Sequence, residues 1–90
     1  MSFLVILRPA REGIEEEAEM LEAHWAYLRR MHDAGKIVVA GPSWFGDDPF
    51  GVGVVDVRER AEVEAILADD PAITSGAMRA EIRPMRIVTR

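Results

Sequence analysis

The sequence of 90 residues contains no cysteine and only two histidines. The absence of cysteine excludes disulfide bonds, thiolate metal sites and a cysteine nucleophile, and it fits a reducing cytoplasm. His24 and His32 lie eight residues apart, and no His-Glu-x-x-His pattern occurs around either of them. They make a poor ligand set for a metal. We therefore expect no metal and no other cofactor.

Basic residues are also scarce, with 11 Lys and Arg against 16 Asp and Glu and a formal net charge of −5. A surface that follows nucleic acid phosphates needs clustered basic side chains, whereas Arg29 and Arg30 form the only adjacent basic pair here. The apolar run at 3–7 is too short to cross a membrane, and no basic segment precedes it as in a signal peptide. The sequence therefore favours a cytoplasmic protein that binds neither nucleic acid nor membranes.

Hydrophobic periodicity predicts one α+β domain over residues 1–90, with its elements in the order βαββαβ. Runs of β-branched and apolar residues predict four strands, at 3–8, 36–41, 52–57 and 77–88. Apolar residues at helical spacing predict two helices, at 14–34 and 58–70. Gly and Pro recur between the second and third strands, which predicts a loop at 41–51.

This order of elements predicts a ferredoxin-like fold. Right-handed crossovers in both halves give a four-stranded antiparallel sheet with two helices on one face. The first and third strands are apolar on both faces, so they belong in the middle of the sheet. No part of the chain remains to cover the second face, although 49% of the residues are hydrophobic. Because a small core cannot hide so many apolar side chains, we expect a homodimer that pairs through the sheet face.

One histidine stands on the apolar stripe of the first predicted helix. His24 shares that face with four apolar residues, Met20, Leu21, Leu28 and Met31. A histidine in this setting is either a hydrogen-bonded core residue or a group held out of water for chemistry. Asp70 is the best placed acid, because it ends the second predicted helix, which packs beside the first. An Asp before a Pro is also a common turn former, so both roles of the His24–Asp70 pair remain open.

The predicted loop at 41–51 carries three aromatic residues, Trp44, Phe45 and Phe50. Such side chains are costly to leave in water, so the segment is either a flexible hairpin connection or a lid that lines a pocket. The tripeptide GVG at 51–53 is part of a nucleotide-binding fingerprint, but it lies in a strand with no helix start after it. It therefore does not predict a nucleotide site.

Several longer motifs extend over nearly the full length of the chain. They follow the hydrophobic first strand and are HWAYL at 24–28, AGKIVVAGP at 34–42, DDP at 69–71 and EIRPM at 81–85. In these motifs the sequence resembles the YCII-related family, small proteins of the dimeric α+β barrel superfamily. The resemblance implies a ferredoxin-like fold that pairs sheet to sheet into a barrel.

The resemblance also implies a site around one histidine and one aspartate, which match His24 and Asp70 here. At least one branch of the family is associated with dehydrochlorination of an aromatic ring by general acid/base chemistry without a cofactor. The sequence departs from the family pattern at two positions. Leu21 stands where an arginine is common, one helical turn before the histidine, and Ala72 stands where an aromatic residue often follows Asp-Pro.

These observations predict a pocket between the first helix, the sheet and the 41–51 segment. In it, His24 acts as the general acid/base and Asp70 orients it. The predicted substrate contacts are Arg8, Tyr27, Ser43 and Trp44, with Arg8 as a substitute for the missing arginine. The predicted reaction is isomerisation, elimination or hydrolysis of a small organic molecule. The alternative is a non-enzymatic module for small-ligand binding or interaction, in which the His24–Asp70 pair is structural.

Overall fold

A computed structural model describes all residues from 1 to 90. The strands are β1 (Ser2–Pro9), β2 (Ile37–Phe45), β3 (Asp48–Asp56) and β4 (Met78–Met85). The helices are α1 (Ala18–Asp33), α2 (Arg60–Ala68) and the single turn α3 (Pro71–Thr74), and a short 3-10 turn at Ile14–Glu16 precedes α1.

The four strands form one sheet in the order β2-β3-β1-β4, and every neighbouring pair is antiparallel. Strands β1 and β3, the two that are apolar on both faces, lie in the middle. The α+β class and the ferredoxin-like arrangement predicted from the sequence are confirmed. This arrangement places α1, α2 and α3 in one layer, so that residues far apart in the chain meet beneath the helices.

Helix α1 begins later than its apolar pattern predicts. Gly13 takes a positive φ of 75°, residues 14–16 form the 3-10 turn, and Glu17 is not helical. The Arg11 guanidinium holds the Glu17 carboxylate through two hydrogen bonds of 3.0 and 2.6 Å, and it also donates to the Ser75 carbonyl at 3.0 Å. These contacts favour a bend at Glu17 over a further helical turn and tie the bend to the end of α3.

The prediction of a loop at 41–51 is wrong, because β2 and β3 continue through it and form a long hairpin. The turn consists of Gly46, with a positive φ of 61°, and the residue that follows it. Pro42 is tolerated because β2 is an edge strand and needs no donor on its open side. Pro49 lies beyond the register of β3 with β1, which ends at Gly51, so β3 is itself an edge there.

Strand alternation sends the side chains of the sheet to two different environments. The residues Phe3, Val5 and Leu7 of β1 face the helices and are buried. They pack into a core with five other buried residues, Tyr27, Ile37, Val55, Val63 and Ile66. The opposite side of the sheet has no helix over it. Its apolar patch, here called the open face, consists of Leu4, Ile6, Val39, Val52 and Val54.

Tyr27 links the two longer helices. Its hydroxyl donates a hydrogen bond of 2.6 Å to the backbone carbonyl of Ile66, and its ring is part of the core. Burial raises the pKa of the Tyr27 hydroxyl, and the nearby carboxylates of Asp69 and Asp70 raise it further. The side chain is therefore a neutral hydrogen-bond donor that joins α1 to α2.

Because Tyr27 is the only tyrosine, the phenolate absorbance that appears in an alkaline titration comes from this side chain alone. A raised pKa in the folded state means that stability is lost as the pH rises above the ordinary tyrosine value of about 10, since the unfolded chain releases the proton first. Tyr27→Phe should remove this alkaline loss and cost about 1 kcal/mol at neutral pH through the missing hydrogen bond. Urea unfolding and absorbance titration check both points. A phenolate midpoint at the ordinary value in the folded protein contradicts them.

Candidate active site

A cavity of about 520 Å³ lies between the helix-covered face of the sheet and helices α1 and α2. Its volume falls within the range of small-molecule sites, roughly 300–1,000 Å³. Of the 25 residues that line it, 16 are hydrophobic. The cavity is therefore suited to a ligand whose body is mostly apolar.

Small residues on the sheet form the floor of this cavity. Gly51 and Gly53 of β3 and Ala40 of β2 lie on the side of the sheet that faces the helices. A Cβ atom added at Gly53 would lie 3.3 Å from the Cβ of Ala40, and one added at Gly51 would lie 3.3 Å from the Cβ of Leu7. The GVG tripeptide therefore keeps space open above the sheet. The two glycines at strand spacing are visible in the sequence. Their position on the floor of a cavity becomes visible only in the structure.

His24 and Asp70 form a buried pair at the helix end of the cavity. The Nδ1 atom of His24 lies 2.6 Å from the Oδ1 atom of Asp70, and the two residues are only 4% and 1% exposed. Asp70 is also the N-cap of α3, where the same oxygen accepts a hydrogen bond of 2.9 Å from the Ala72 amide and Pro71 begins the helix. This local Asp-Pro geometry holds the carboxylate in place independently of the imidazole.

The pairing determines which nitrogen of His24 faces the cavity. A carboxylate only accepts hydrogen bonds, so Nδ1 carries the proton and donates it to Asp70. The Nε2 atom has no hydrogen-bond partner in the protein, whereas every fully buried side-chain nitrogen or oxygen does have one. Nε2 therefore retains some accessible surface, and the residue that carries it lines the cavity. In the neutral ring, it presents a lone pair to whatever occupies that space.

The exposed residues of the lining mark the mouth of the cavity. Trp25 is 40% exposed and Trp44 is 62% exposed, and both line the cavity. The exposed carboxylates of Glu15 and Asp47 are in the same lining. The mouth therefore combines two indole rings with two negative charges. Of these four residues, only Trp44 was among the predicted contacts, because the others are brought to the cavity by the 3-10 turn, the helix phase and the hairpin turn.

The remaining predicted substrate contacts do not line the cavity. Arg8 and Ser43 lie on strand positions that face the opposite side of the sheet, and Arg8 pairs there with Glu81 at 3.3 Å. Tyr27 follows His24 by almost one turn, but its hydroxyl is held by the Ile66 carbonyl. Among the predicted set, the structure thus brings three residues together at the cavity: His24, Asp70 and Trp44.

Two further features concern possible ligands and membranes. No three side chains of His, Asp or Glu lie close enough together to hold a metal ion. None of the helices has the length and apolar character needed to pass through a lipid bilayer.

The solved structures that are similar to this chain in fold include the following two. One is 5-chloro-2-hydroxyhydroquinone dehydrochlorinase (TftG) from Burkholderia phenoliruptrix AC1100, in complex with 2,5-dihydroxybenzoquinone. It is 24% identical, covers 96% of this chain and 94% of its own, and superposes with a TM-score of 0.76. The other is protein Atu4242 from Agrobacterium tumefaciens, 20% identical, with coverage of 96% and 92% and a TM-score of 0.56.

A comparison with protein families gives a broader assignment than these individual structures do. No curated protein matches the chain significantly. The sequence model of the family described as the YCII-related domain matches residues 1–86, nearly the whole chain. The chain therefore belongs to the YCII-related family.

Proposed function

We propose that the chain is a small-molecule enzyme in which His24 moves a proton on a ligand held in the cavity. The observation that carries this proposal is the open Nε2 atom of a histidine whose Nδ1 atom is held by Asp70 at 2.6 Å. A purely structural histidine in a core normally satisfies both ring nitrogens or turns the free one to bulk water. Here the histidine that carries the free nitrogen lines an apolar cavity of ligand size.

In the proposed reaction, Nε2 takes a proton from a carbon or hydroxyl of the ligand. The positive charge that forms on the imidazole is stabilised by the Asp70 carboxylate, which the Ala72 amide holds in place. The imidazolium then returns the proton to another atom of the ligand or to its leaving group. Each of these steps uses side chains of this chain alone, so no cofactor is required. The apolar lining strengthens the interaction between the two charges because it excludes water.

This chemistry fits isomerisation, elimination or hydrolysis, and the fold comparison supports elimination first. The structure of TftG shares the fold, and its name describes a dehydrochlorinase of a hydroxylated aromatic ring. Loss of chloride and a proton from such a ring needs one group that accepts a proton, which His24 supplies. Chlorinated hydroxyhydroquinones are therefore the first substrates to test, followed by small lactones.

His24→Ala should lower kcat for chloride release by at least about 100-fold, the lower end of general acid/base effects. Asp70→Asn should also lower kcat, because an amide orients and stabilises the imidazolium less well. The matched control is His32→Ala, since His32 lies near the end of the same helix with its side chain 62% exposed. Turnover in wild type that His24→Ala leaves unchanged contradicts the proposal. Ring binding with no turnover in wild type favours the non-enzymatic ligand-binding alternative.

We also propose that the chain works as one domain and pairs as a homodimer through the open face. A chain of this size buries only part of its apolar surface on its own. Leu4, Val54 and Val39 lie next to one another across three strands, and Val39 is 60% exposed. We take a second copy of the chain as the occupant, because a two-fold pair packs the same apolar patch of each copy against the other. Because the helices and the cavity are on the other face, pairing leaves the cavity mouth free.

Wild-type protein at micromolar concentration should sediment at about twice the 10.0 kDa mass of one chain. Val39→Glu should shift it towards the monomer, because two carboxylates would be buried unpaired in a symmetric interface. The matched control is Val88→Glu, since Val88 is 88% exposed near the C-terminus and outside the open face. A wild-type monomer throughout this range, or a Val39→Glu dimer as stable as wild type, contradicts the homodimer.

A further inference from the structure

We infer that the cavity selects its ligand by charge, taking uncharged or cationic ring compounds and rejecting anions. The inference rests on the proposed function only in taking the His24 cavity as the ligand site. It names the class of compound that this site accepts, and it holds whichever proton transfer the site performs.

The charged side chains of the cavity lining all have the same sign, apart from the imidazole. They are Glu15, Asp47 and Asp70, and none of the 25 lining residues is Lys or Arg. The His24–Asp70 pair is neutral when the imidazole is protonated and carries one negative charge when it is not. In either case the lining is net negative, because Glu15 and Asp47 remain.

Two arginines that lie near lining residues in the sequence, Arg8 and Arg11, have partners outside the lining. Arg8 projects from the other face of the sheet, where it pairs with Glu81 at 3.3 Å. Arg11 donates to both carboxylate oxygens of Glu17 and to the Ser75 carbonyl. An anion in the cavity would therefore lose its hydration without gaining a cationic partner, which is costly in an apolar site.

Leu21 occupies a position from which a cationic side chain could reach such an anion. It lies on α1 one turn before His24, and its side chain lines the cavity. An apolar residue there leaves the ligand without a charged anchor beside the imidazole. The same position supplies a direct test, because an arginine introduced at Leu21 adds one positive charge to the lining.

The mouth favours flat rings, and cationic ones in particular. Trp25 and Trp44 offer two indole faces for stacking, and indole attracts cations more strongly than other aromatic rings. Glu15 and Asp47 lie in the same lining and add to this attraction. The net charge of −5 over the whole chain further repels anions at a distance. The local and overall charges therefore act in the same direction.

Intrinsic fluorescence gives a direct readout, because the two tryptophans of the chain both line the cavity. The probes are three ring compounds of similar size: hydroquinone, which is neutral, benzylamine, which is cationic, and benzoate. Hydroquinone and benzylamine should each bind wild type at least about tenfold more tightly than benzoate. Raising the salt concentration should weaken benzylamine binding and leave hydroquinone binding unchanged.

Comparing Glu15→Gln with Glu64→Gln separates the effect of charge in the cavity lining from the effect of the net charge of the chain. A third variant, Leu21→Arg, adds a positive charge to the lining. Glu15→Gln should weaken benzylamine binding several-fold, whereas Glu64→Gln, which changes the net charge equally on the exposed surface of α2, should not. Leu21→Arg should bring benzoate binding to at least the level of hydroquinone. Benzoate binding to wild type as tightly as hydroquinone overturns charge selection and leaves the proposed function standing. No binding of any of the three rings to wild type overturns the inference, whereas the proposed function is tested separately by chloride release in wild type and His24→Ala.

Discussion

The hydrogen bond between His24 and Asp70 joins α1 to the N-terminus of α3 through two residues that lie 46 positions apart in the sequence. Asp70 accepts both from the imidazole and from the Ala72 amide, so it caps α3 and orients the histidine with one oxygen. Removing Asp70 would leave the Nδ1 atom of His24 buried without a partner, which costs more than the bond itself contributes. Removing His24 would leave the buried Asp70 carboxylate with the Ala72 amide alone. The pair is therefore both a support of the helix layer and the main polar group of the cavity interior.

The alternation of side chains along the strands determines which residues lie on the same side of the sheet as this pair. On the helix side of the sheet, Ala40, Gly51 and Gly53 leave the space into which His24 projects. On the other side, the same strands present the open face. The proposed ligand site and the proposed dimer interface therefore lie on opposite faces of the sheet. On this arrangement, the proposed ligand and the proposed partner subunit would not compete for the same surface.

Much of this fold follows from the sequence, because strongly patterned segments allow few arrangements. The strand order and the meeting of His24 with Asp70 both follow from right-handed crossovers and helix phase. The hairpin does not, since Pro42 and Pro49 act as breakers except where their open sides face no neighbouring strand. The side of the sheet that Arg8 and Ser43 face depends on whether each stands at an odd or even position of its strand. For Ser43 this is harder to predict, because the register of β2 shifts between Ile37 and Val39.

Other features leave no signal in the sequence. The partner of the Tyr27 hydroxyl is a backbone carbonyl, and any residue supplies one. The acidic mouth depends on where the 3-10 turn and the hairpin turn place Glu15 and Asp47, which are distant in sequence. The cytoplasmic location and the action of residues 1–90 as one domain stay predictions.

The proposed chemistry depends on His24 presenting an unprotonated Nε2 atom to the ligand while Asp70 holds Nδ1–H. Nitrogen-15 NMR of the histidine rings tests it most directly, with the exposed His32 as the internal reference. At a pH where the ring is neutral, the account predicts that His24 is the Nδ1–H tautomer. It also predicts that hydroquinone moves the Nε2 signal of His24 and leaves His32 unchanged. An Nε2–H tautomer, or an Nε2 signal that no ring compound moves, contradicts the account.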